Sequence, residues 1–267
     1  MIVVGELINA SRKVISQAIL NQDVATIQKV AKDQAEAGAD YIDVNAGVFV
    51  EEEIDYLKWL VTTVQEVVDI PCCIDSPNHH AIAAALAIHR GDAPPMINSI
   101  SLEKDRYEGL LSLLGGTDLK VVALCMGDDG MPETTDQRLK IADRLINGLV
   151  GVGVKIENIY VDPLVQPVSV NPEFGVEFLN AVEAIVTRFE GVHTMCGLSN
   201  ISFGLPNRKY LNQTFAVMAI AKGLDGLIIN PLDKRMMANM IAAESLGGRD
   251  SHCMNFLKAH RANRFEL

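Results

Sequence analysis

The chain has 267 residues, 49% of them hydrophobic, and its 34 Asp and Glu outnumber 23 Lys and Arg to give a net charge of −11. That composition fits a packed α/β protein, argues against disorder, and leaves no basic stripe with which to grip nucleic acid. The best apolar run, residues 81–88, is about half the ~20 residues of a membrane span.

Met1-Ile2-Val3-Val4-Gly5-Glu6 has no charged segment leading into a long apolar stretch, so no secretory signal is expected. Five cysteines, an odd number scattered through apolar segments, suit a reducing cytoplasm better than a disulfide framework. No low-complexity stretch or linker divides the chain, and one domain over residues 1–267 is expected.

Short β-branched runs recur along the chain at 2–4, 41–44, 72–74, 96–97, 121–124, 159–161, 194–198 and 227–229. Their starts lie about 25 to 40 residues apart, the length of one strand-plus-helix unit. Eight such units make a (β/α)8 barrel, the TIM barrel of the α/β class. A doubly wound open sheet would want a Gly-rich turn after the first strand, and Gly5-Glu6-Leu7-Ile8-Asn9 is not one.

The helices between the runs have their own signals. Glu51-Glu52-Glu53 places acid at a helix start, and Ile54, Leu57, Leu60, Val61, Val64 and Val68 follow as one apolar stripe. Ser76-Pro77 reads as N-cap and first helical residue, with Gly91 as the stop and His79-His80 as a solvated face. Thr134-x-x-Gln137 reads as a capping box.

Polar residues fall at the C-terminal ends of the runs: Glu6 and Asn9, Asp43 and Asn45, Asp75, Asn98, Asp162, Ser199-Asn200 and Asn230. In a barrel these ends open on one face, and that face carries the active site. Capping of the following helix would explain any one of them; a polar ligand explains the ring better. Acids and amides together suit a neutral heterocycle that shows both donors and acceptors, such as a 2-amino-4-oxopyrimidine edge.

Gly5-Glu6-x-Ile8-Asn9, Asp43-x-Asn45-x-Gly47, Ile74-Asp75-Ser76, Met96-Ile97-Asn98-Ser99, Tyr160-x-Asp162-Pro163 and Gly197-Leu198-Ser199-Asn200-Ile201-Ser202 occur in order. Together they resemble the pterin-binding methyltransferases. The likeness is nearest to the methyltetrahydrofolate:corrinoid/iron–sulfur protein methyltransferases and the folate domain of cobalamin-dependent methionine synthase, with dihydropteroate synthase more distant. It runs from Ile2 to about Ala243, and Phe203-Gly204-Leu205-Pro206 follows the methionine-synthase pattern.

The resemblance implies methyl transfer between N5 of tetrahydrofolate and the cobalt of a corrinoid (cobalamin) carried by another protein, with the direction left open. It implies that Asp75, Asn98 and Asp162 bind the pterin edges, Asp162 taking the ring N–H and 2-amino pair. Asn200 would hydrogen-bond N5 and is the candidate catalytic residue. Gly197, Ser199 and Arg208 would line or close the pocket, over a supporting floor of Glu6, Asn9, Asp43 and Asn45. Met126 would pack on the pterin or fill core. The corrinoid protein would dock transiently at the barrel mouth, and a homodimer is implied. A dihydropteroate-synthase-like condensation would require a Lys on residues 197–202, which offer Asn200 instead. A non-catalytic pterin-binding subunit is the other alternative.

No corrinoid-binding Asp-x-His-x-x-Gly motif occurs in the chain. No bound metal is expected either: Cys72 and Cys73 face opposite sides of a strand, and Cys125, His193-x-x-Cys196 and His252-Cys253 lack zinc-ligand spacing.

Overall fold

The computed structural model describes residues 1–265. Eight parallel strands close on themselves in sequence order: β1 (Ile2–Asn9), β2 (Tyr41–Asn45), β3 (Cys72–Asp75), β4 (Met96–Leu102), β5 (Lys120–Gly127), β6 (Ile159–Asp162), β7 (His193–Gly197) and β8 (Gly226–Ile229), which pairs with β1. Each expected run lies in one strand, apart from Leu198, which begins a short 3-10 turn, Leu198–Ser202. The outer helices are α1 (Lys13–Leu20), α2 (Val24–Glu36), α3 (Glu53–Gln65), α4 (His79–Leu86), α5 (Lys104–Leu114), α6 (Thr135–Gly151), α7 (Phe174–Arg188), α8 (Arg208–Ala221), α9 (Lys234–Leu246) and α10 (Met254–Arg261).

The period of two along each strand divides the side chains between the barrel interior and the helix layer. Inside, Val4, Tyr41, Cys73, Met96, Val122, Tyr160 and Met195 form one buried apolar cluster with one residue from each of seven strands. Outside, Ile42, Val44, Cys72, Ile74, Ile97, Val121, Ala123, Ile159 and Val161 pack under α1 to α6, in a cluster separate from the one beneath α7 to α9. Cys72 and Cys73 accordingly belong to different clusters.

Two residues further along the same strands, the interior positions become Asp43, Asp75, Asn98, Leu124, Asp162 and Gly197. The apolar layer is thus the floor on which a mostly polar layer stands. On β1 the register with β2 shifts between Gly5 and Ile8. Gln34 of α2 fills this bulge: its Oε1 accepts the Leu7 N–H at 2.9 Å, and a Cβ on Gly5 would lie 2.5 Å from it. The bulge aims Glu6 into the barrel mouth.

Several local expectations shift. The helix after β3 starts later than Ser76-Pro77 suggests, because Asn78 is the N-cap and accepts the His80 N–H at 3.0 Å. Ser76 is instead buried and donates its hydroxyl to Glu53 Oε1 at 2.6 Å. That helix ends at Leu86, before Gly91, whose φ of +100° serves a later turn. In α3 the stripe Leu57, Leu60, Val61 and Val64 is buried, while Ile54 is exposed and Val68 lies beyond the helix. His79 packs its ring against Gly109 of α5, where a Cβ would lie 2.5 Å away. The Thr134–Gln137 capping box is present in full at the start of α6.

Candidate active site

A cavity of about 810 Å³ opens at the C-terminal end of the barrel. It brings together Glu6 and Asn9 of β1, Asp43 of β2, Asp75 of β3, Asn98 of β4, Asp162 of β6 and Gly197 of β7. Ser199 and Asn200 join them from the 3-10 turn after β7, and Arg208 from the first turn of α8.

Asn45 and Met126 are not among the lining residues. Asn45 stands behind Asp75: its Nδ2 donates to Asp75 Oδ2 at 2.9 Å, and its Oδ1 accepts the Gly47 N–H at 3.0 Å. Placed outside the lining, it holds Asp75 from behind. Met126 lies one step too far along β5. Leu124 is in register with Asp162 and occupies the cavity level, and β5 continues past the mouth to pair Gly127 with Leu102.

The two walls differ in character. On the β1–β4 side, Glu6, Asp43, Asp75 and Asn98 form a network in which Asn98 Nδ2 reaches Asp43 Oδ1 at 3.4 Å. On the opposite side, Leu164, Val165, Leu198, Ile228, Ile229 and Met236 make an apolar wall. Arg12, Arg208 and Lys209 also line the cavity. A flat ring with polar edges and apolar faces fits such a slot, whose volume suits a small-molecule pocket.

Burial dominates the electrostatics. It pushes the Asp162 carboxyl up to about 7, against the backbone N–H groups of Leu164 and Gly197 and the Arg138 guanidinium, which hold it down. The Leu164 N–H donates to Asp162 Oδ1 at 2.7 Å. Asp75 is pushed up to about 6 by burial, opposed by the Asn45 hydrogen bond and by Arg106. Asp43 is raised further above the ordinary carboxylate range by burial and by the nearby Asp75. Burial also raises Glu6, opposed by Arg12 and Arg208. Carboxyls raised together in one cleft mark a candidate functional site with a physical cause.

The turn that carries Asn200 is tied down from α8. Arg208 Nε donates to Ser202 Oγ at 2.9 Å, an Nη donates to the Ser199 carbonyl, and Ser202 Oγ donates to Asn212 Oδ1 at 2.6 Å. Asn200 itself is exposed at the mouth. Among the described residues, no group of three or more His, Cys, Asp or Glu is placed to hold a metal ion.

The sequence profile of the pterin binding enzymes matches residues 5–230, which include all of this cavity's lining except Asp233 and Met236. The chain belongs to that family. A methylcorrinoid:tetrahydrofolate methyltransferase of Eubacterium limosum is 34% identical over 266 residues, covering 99% of this chain and 97% of that protein. A methionine synthase of Mycobacterium tuberculosis is 30% identical over 243 residues, covering 86% of this chain and 20% of that longer protein. In fold, this pterin-binding chain is similar to a dihydropteroate synthase of Coxiella burnetii solved with pteroic acid, with a TM-score of 0.74 at 16% identity over 92% of this chain and 93% of that one. It is also similar to the Yersinia pestis dihydropteroate synthase solved with a sulfonamide, with a TM-score of 0.71 at 18% identity over the same shares.

Residues that the sequence does not single out also line this cavity. Arg106 of α5 lines it, donating from Nε to the Ser99 carbonyl at 2.7 Å and from Nη2 to Ser99 Oγ at 3.1 Å. Arg12 enters from the loop after β1. Asp233 lines the cavity while capping α9 and accepting from Gln213. A lone Arg within an amphipathic helix carries no signal in the sequence; only the packing of α5 on β4 aims Arg106 at the mouth.

Proposed function

We propose that the protein transfers a methyl group between a methylated corrinoid, carried by a separate protein, and N5 of tetrahydrofolate. The name of the Eubacterium limosum relative favours the direction onto folate. One observation carries the reading. Asp75, Asn98 and Asp162 converge in the cavity, while Asn200 stands exposed above them on a braced turn. A pterin held by its amino-oxo edge at the three inner residues leaves N5 and its methyl group toward the mouth.

The roles follow from hydrogen-bond inventory. Asp162, as a carboxylate, accepts from the ring N–H and the 2-amino group together; Asn98 and Asp75 meet the remaining donor and acceptor positions. Ile228, Ile229 and Met236 belong to the apolar wall that packs on the ring face. The corrinoid supplies the methyl group in one direction and the cobalt nucleophile in the other. Toward folate, Asn200 orients N5 so that its lone pair faces the incoming methyl group. In reverse, N5 of methyltetrahydrofolate takes up a proton from solvent, Asn200 Oδ1 accepts the N–H of that cation, and once the methyl group passes to cobalt(I) N5 is left as the neutral secondary amine. A hydrogen bond to a charged group is worth ~1.5–3 kcal/mol, roughly ten- to a hundredfold in rate.

Exposed apolar side chains ring the mouth, contributed by four different loops: Val50 is 80% exposed, Val170 74%, Phe203 64% and Met131 62%. They suit a transient partner that must bring cobalt to the methyl group. The homodimer is part of the same proposal, with exposed Val176 of α7 and Leu211 and Met218 of α8 as its candidate face. No helix among the described residues is long and apolar enough to cross a membrane, and a cytoplasmic site of action is proposed.

The test is anaerobic. Methylcobalamin with tetrahydrofolate, and separately cob(I)alamin with methyltetrahydrofolate, are followed by the corrinoid spectrum with and without the cognate corrinoid protein. Conversion is expected; a folded preparation inert in both directions overturns the reading.

A further inference from the structure

Arg138 is the largest fully buried side chain among the described residues, and three features make it an unfavourable residue where it stands. It carries a charge out of water. It occupies the first turns of α6, the helix end at which the dipole disfavours a cation. One of its donors, Nη1, has no hydrogen-bond partner among the described residues. A buried orphan donor on a charged side chain calls for an explanation.

The remaining donors identify its task. Arg138 Nε donates to the Pro163 carbonyl at 2.8 Å and Nη2 to the Leu164 carbonyl at 3.4 Å. These are the two residues that follow Asp162. Leu164 has a φ of +67°, a conformation that a branched side chain adopts only when its surroundings impose it. Its N–H donates back to Asp162 Oδ1 at 2.7 Å. Arg138 therefore braces, from behind the barrel wall, the turn that orients the carboxylate.

We propose that Arg138 is a positioning residue for folate binding: it clamps the turn that aims Asp162 into the cavity and supplies the buried countercharge for that carboxylate. The inference rests on the reading that Asp162 takes the pterin N–H and amino pair. A neutral amide at position 138 would serve the two carbonyls alone, so the charge has to have a second use. The titratable groups near Asp162 besides Arg138 are Cys125 of β5 and Cys196 of β7, whose buried thiols are pushed up and stay neutral. Arg138 is then the cation that acts on Asp162, and Glu177 of α7 is the other acid near the guanidinium. A neutral carboxyl turns one of its two acceptor oxygens into a donor and cannot accept well from both pterin groups, so loss of the countercharge weakens ligand binding at neutral pH.

The experiment measures tetrahydrofolate affinity between about pH 5.5 and 9 for wild type, Arg138→Met and Arg138→Lys, with thermal unfolding of each and of Asp162→Asn. Wild-type affinity should fall as pH drops through about 7, where Asp162 takes up its proton. Removing the guanidinium takes away one of the groups that hold the Asp162 carboxyl down, so Arg138→Met should bind roughly severalfold more weakly at neutral pH, with its fall-off moved to higher pH and affinity recovering toward pH 9. Arg138→Lys keeps the charge without the two-pronged clamp, and should keep the wild-type midpoint while binding more weakly at every pH. A folded Arg138→Met with wild-type affinity and an unmoved profile overturns the proposal. Should that variant fail to fold, wild-type affinity in Arg138→Lys overturns it. Asp162→Asn separates the two readings: undiminished folate binding there removes Asp162 from the pterin site. The coupling of Arg138 to Asp162 is then read from unfolding alone. The double variant Arg138→Met/Asp162→Asn should lose less stability than the two single losses added together; strict additivity counts against the countercharge.

Discussion

The two ends of the barrel treat their polar residues in opposite ways. At the N-terminal end, His193 Nδ1 meets Asp225 Oδ2, and Asp225 Oδ1 accepts the Thr194 N–H at 2.8 Å. Asp40 Oδ2 accepts the Val3 N–H at 2.8 Å, Lys120 lies over the rings of Tyr41 and Tyr160, and the terminal amine pairs with Glu244. That end is closed by groups that satisfy one another. At the C-terminal end, burial raises Glu6, Asp43, Asp75 and Asp162, and the nearby cations offset it only in part. The same strands thus end in a finished plug on one side and an unfinished site on the other, whose missing partners a ligand can supply.

The sharpest test substitutes one carboxyl at the mouth. Asp75→Asn should weaken tetrahydrofolate binding by about 100-fold or more, if two hydrogen bonds to a charged acceptor are lost at ~1.5–3 kcal/mol each. Calorimetric titration measures it, and an unchanged Kd would place the pterin elsewhere. Asn200→Ala should lower the methyl-transfer rate roughly ten- to a hundredfold, with folate affinity changed only slightly. A matching loss in both would make Asn200 a general binding residue. At the other end, Asp225→Ala should destabilise the protein by about 1–3 kcal/mol, through the unpaired Thr194 N–H and His193, and leave folate affinity intact. A change in Kd there would break the division of labour between the two ends.

The smallest effect is in pH. A buried carboxyl raised in the folded state takes up its proton before the unfolded chain does, so between the two pKa values the folded state holds more protons. For Asp75, raised from about 4 to about 6, and Asp162, raised to about 7, stability of the unliganded protein should therefore increase as pH falls from about 7.5 toward 5. Folate affinity should move the other way, because the carboxylate form is the one that binds. Melting temperatures and Kd measured over the same buffers give both slopes; parallel slopes would contradict the picture of a site held ready at the expense of stability.

Much of this was legible in the chain. The eight β-branched runs lie in the eight strands apart from Leu198, and strand parity turns Asp43, Asp75, Asn98 and Asp162 into the cavity, while Glu6 reaches it through the β1 bulge and Ser199 and Asn200 from the turn after β7. Tyr41 and Asp43, Cys73 and Asp75, Met96 and Asn98, and Tyr160 and Asp162 are each two residues apart, one on the apolar floor and the next in the cavity. What misled was local. Met126 shares that parity, yet β5 outruns the cavity level and Leu124 occupies it. Ser76-Pro77 looked like a cap, but Ser76 was needed by Glu53 across the helix layer.

The sequence by itself determined the barrel, the face on which the site lies and most of its lining, because period, spacing and strand-end polarity are properties of neighbours along the chain. Only the tertiary structure decided how that lining is held. Gln34 props the β1 bulge, Asn45 holds Asp75, Arg106 grips Ser99, and Arg138 clamps the turn after Asp162. Gln34, Arg106 and Arg138 lie on helices, where a polar side chain reads as solvent-facing until packing buries it. Whether Arg138 faces water or the carbonyls that follow Asp162 depends on how α6 sits against β6, which no local pattern records.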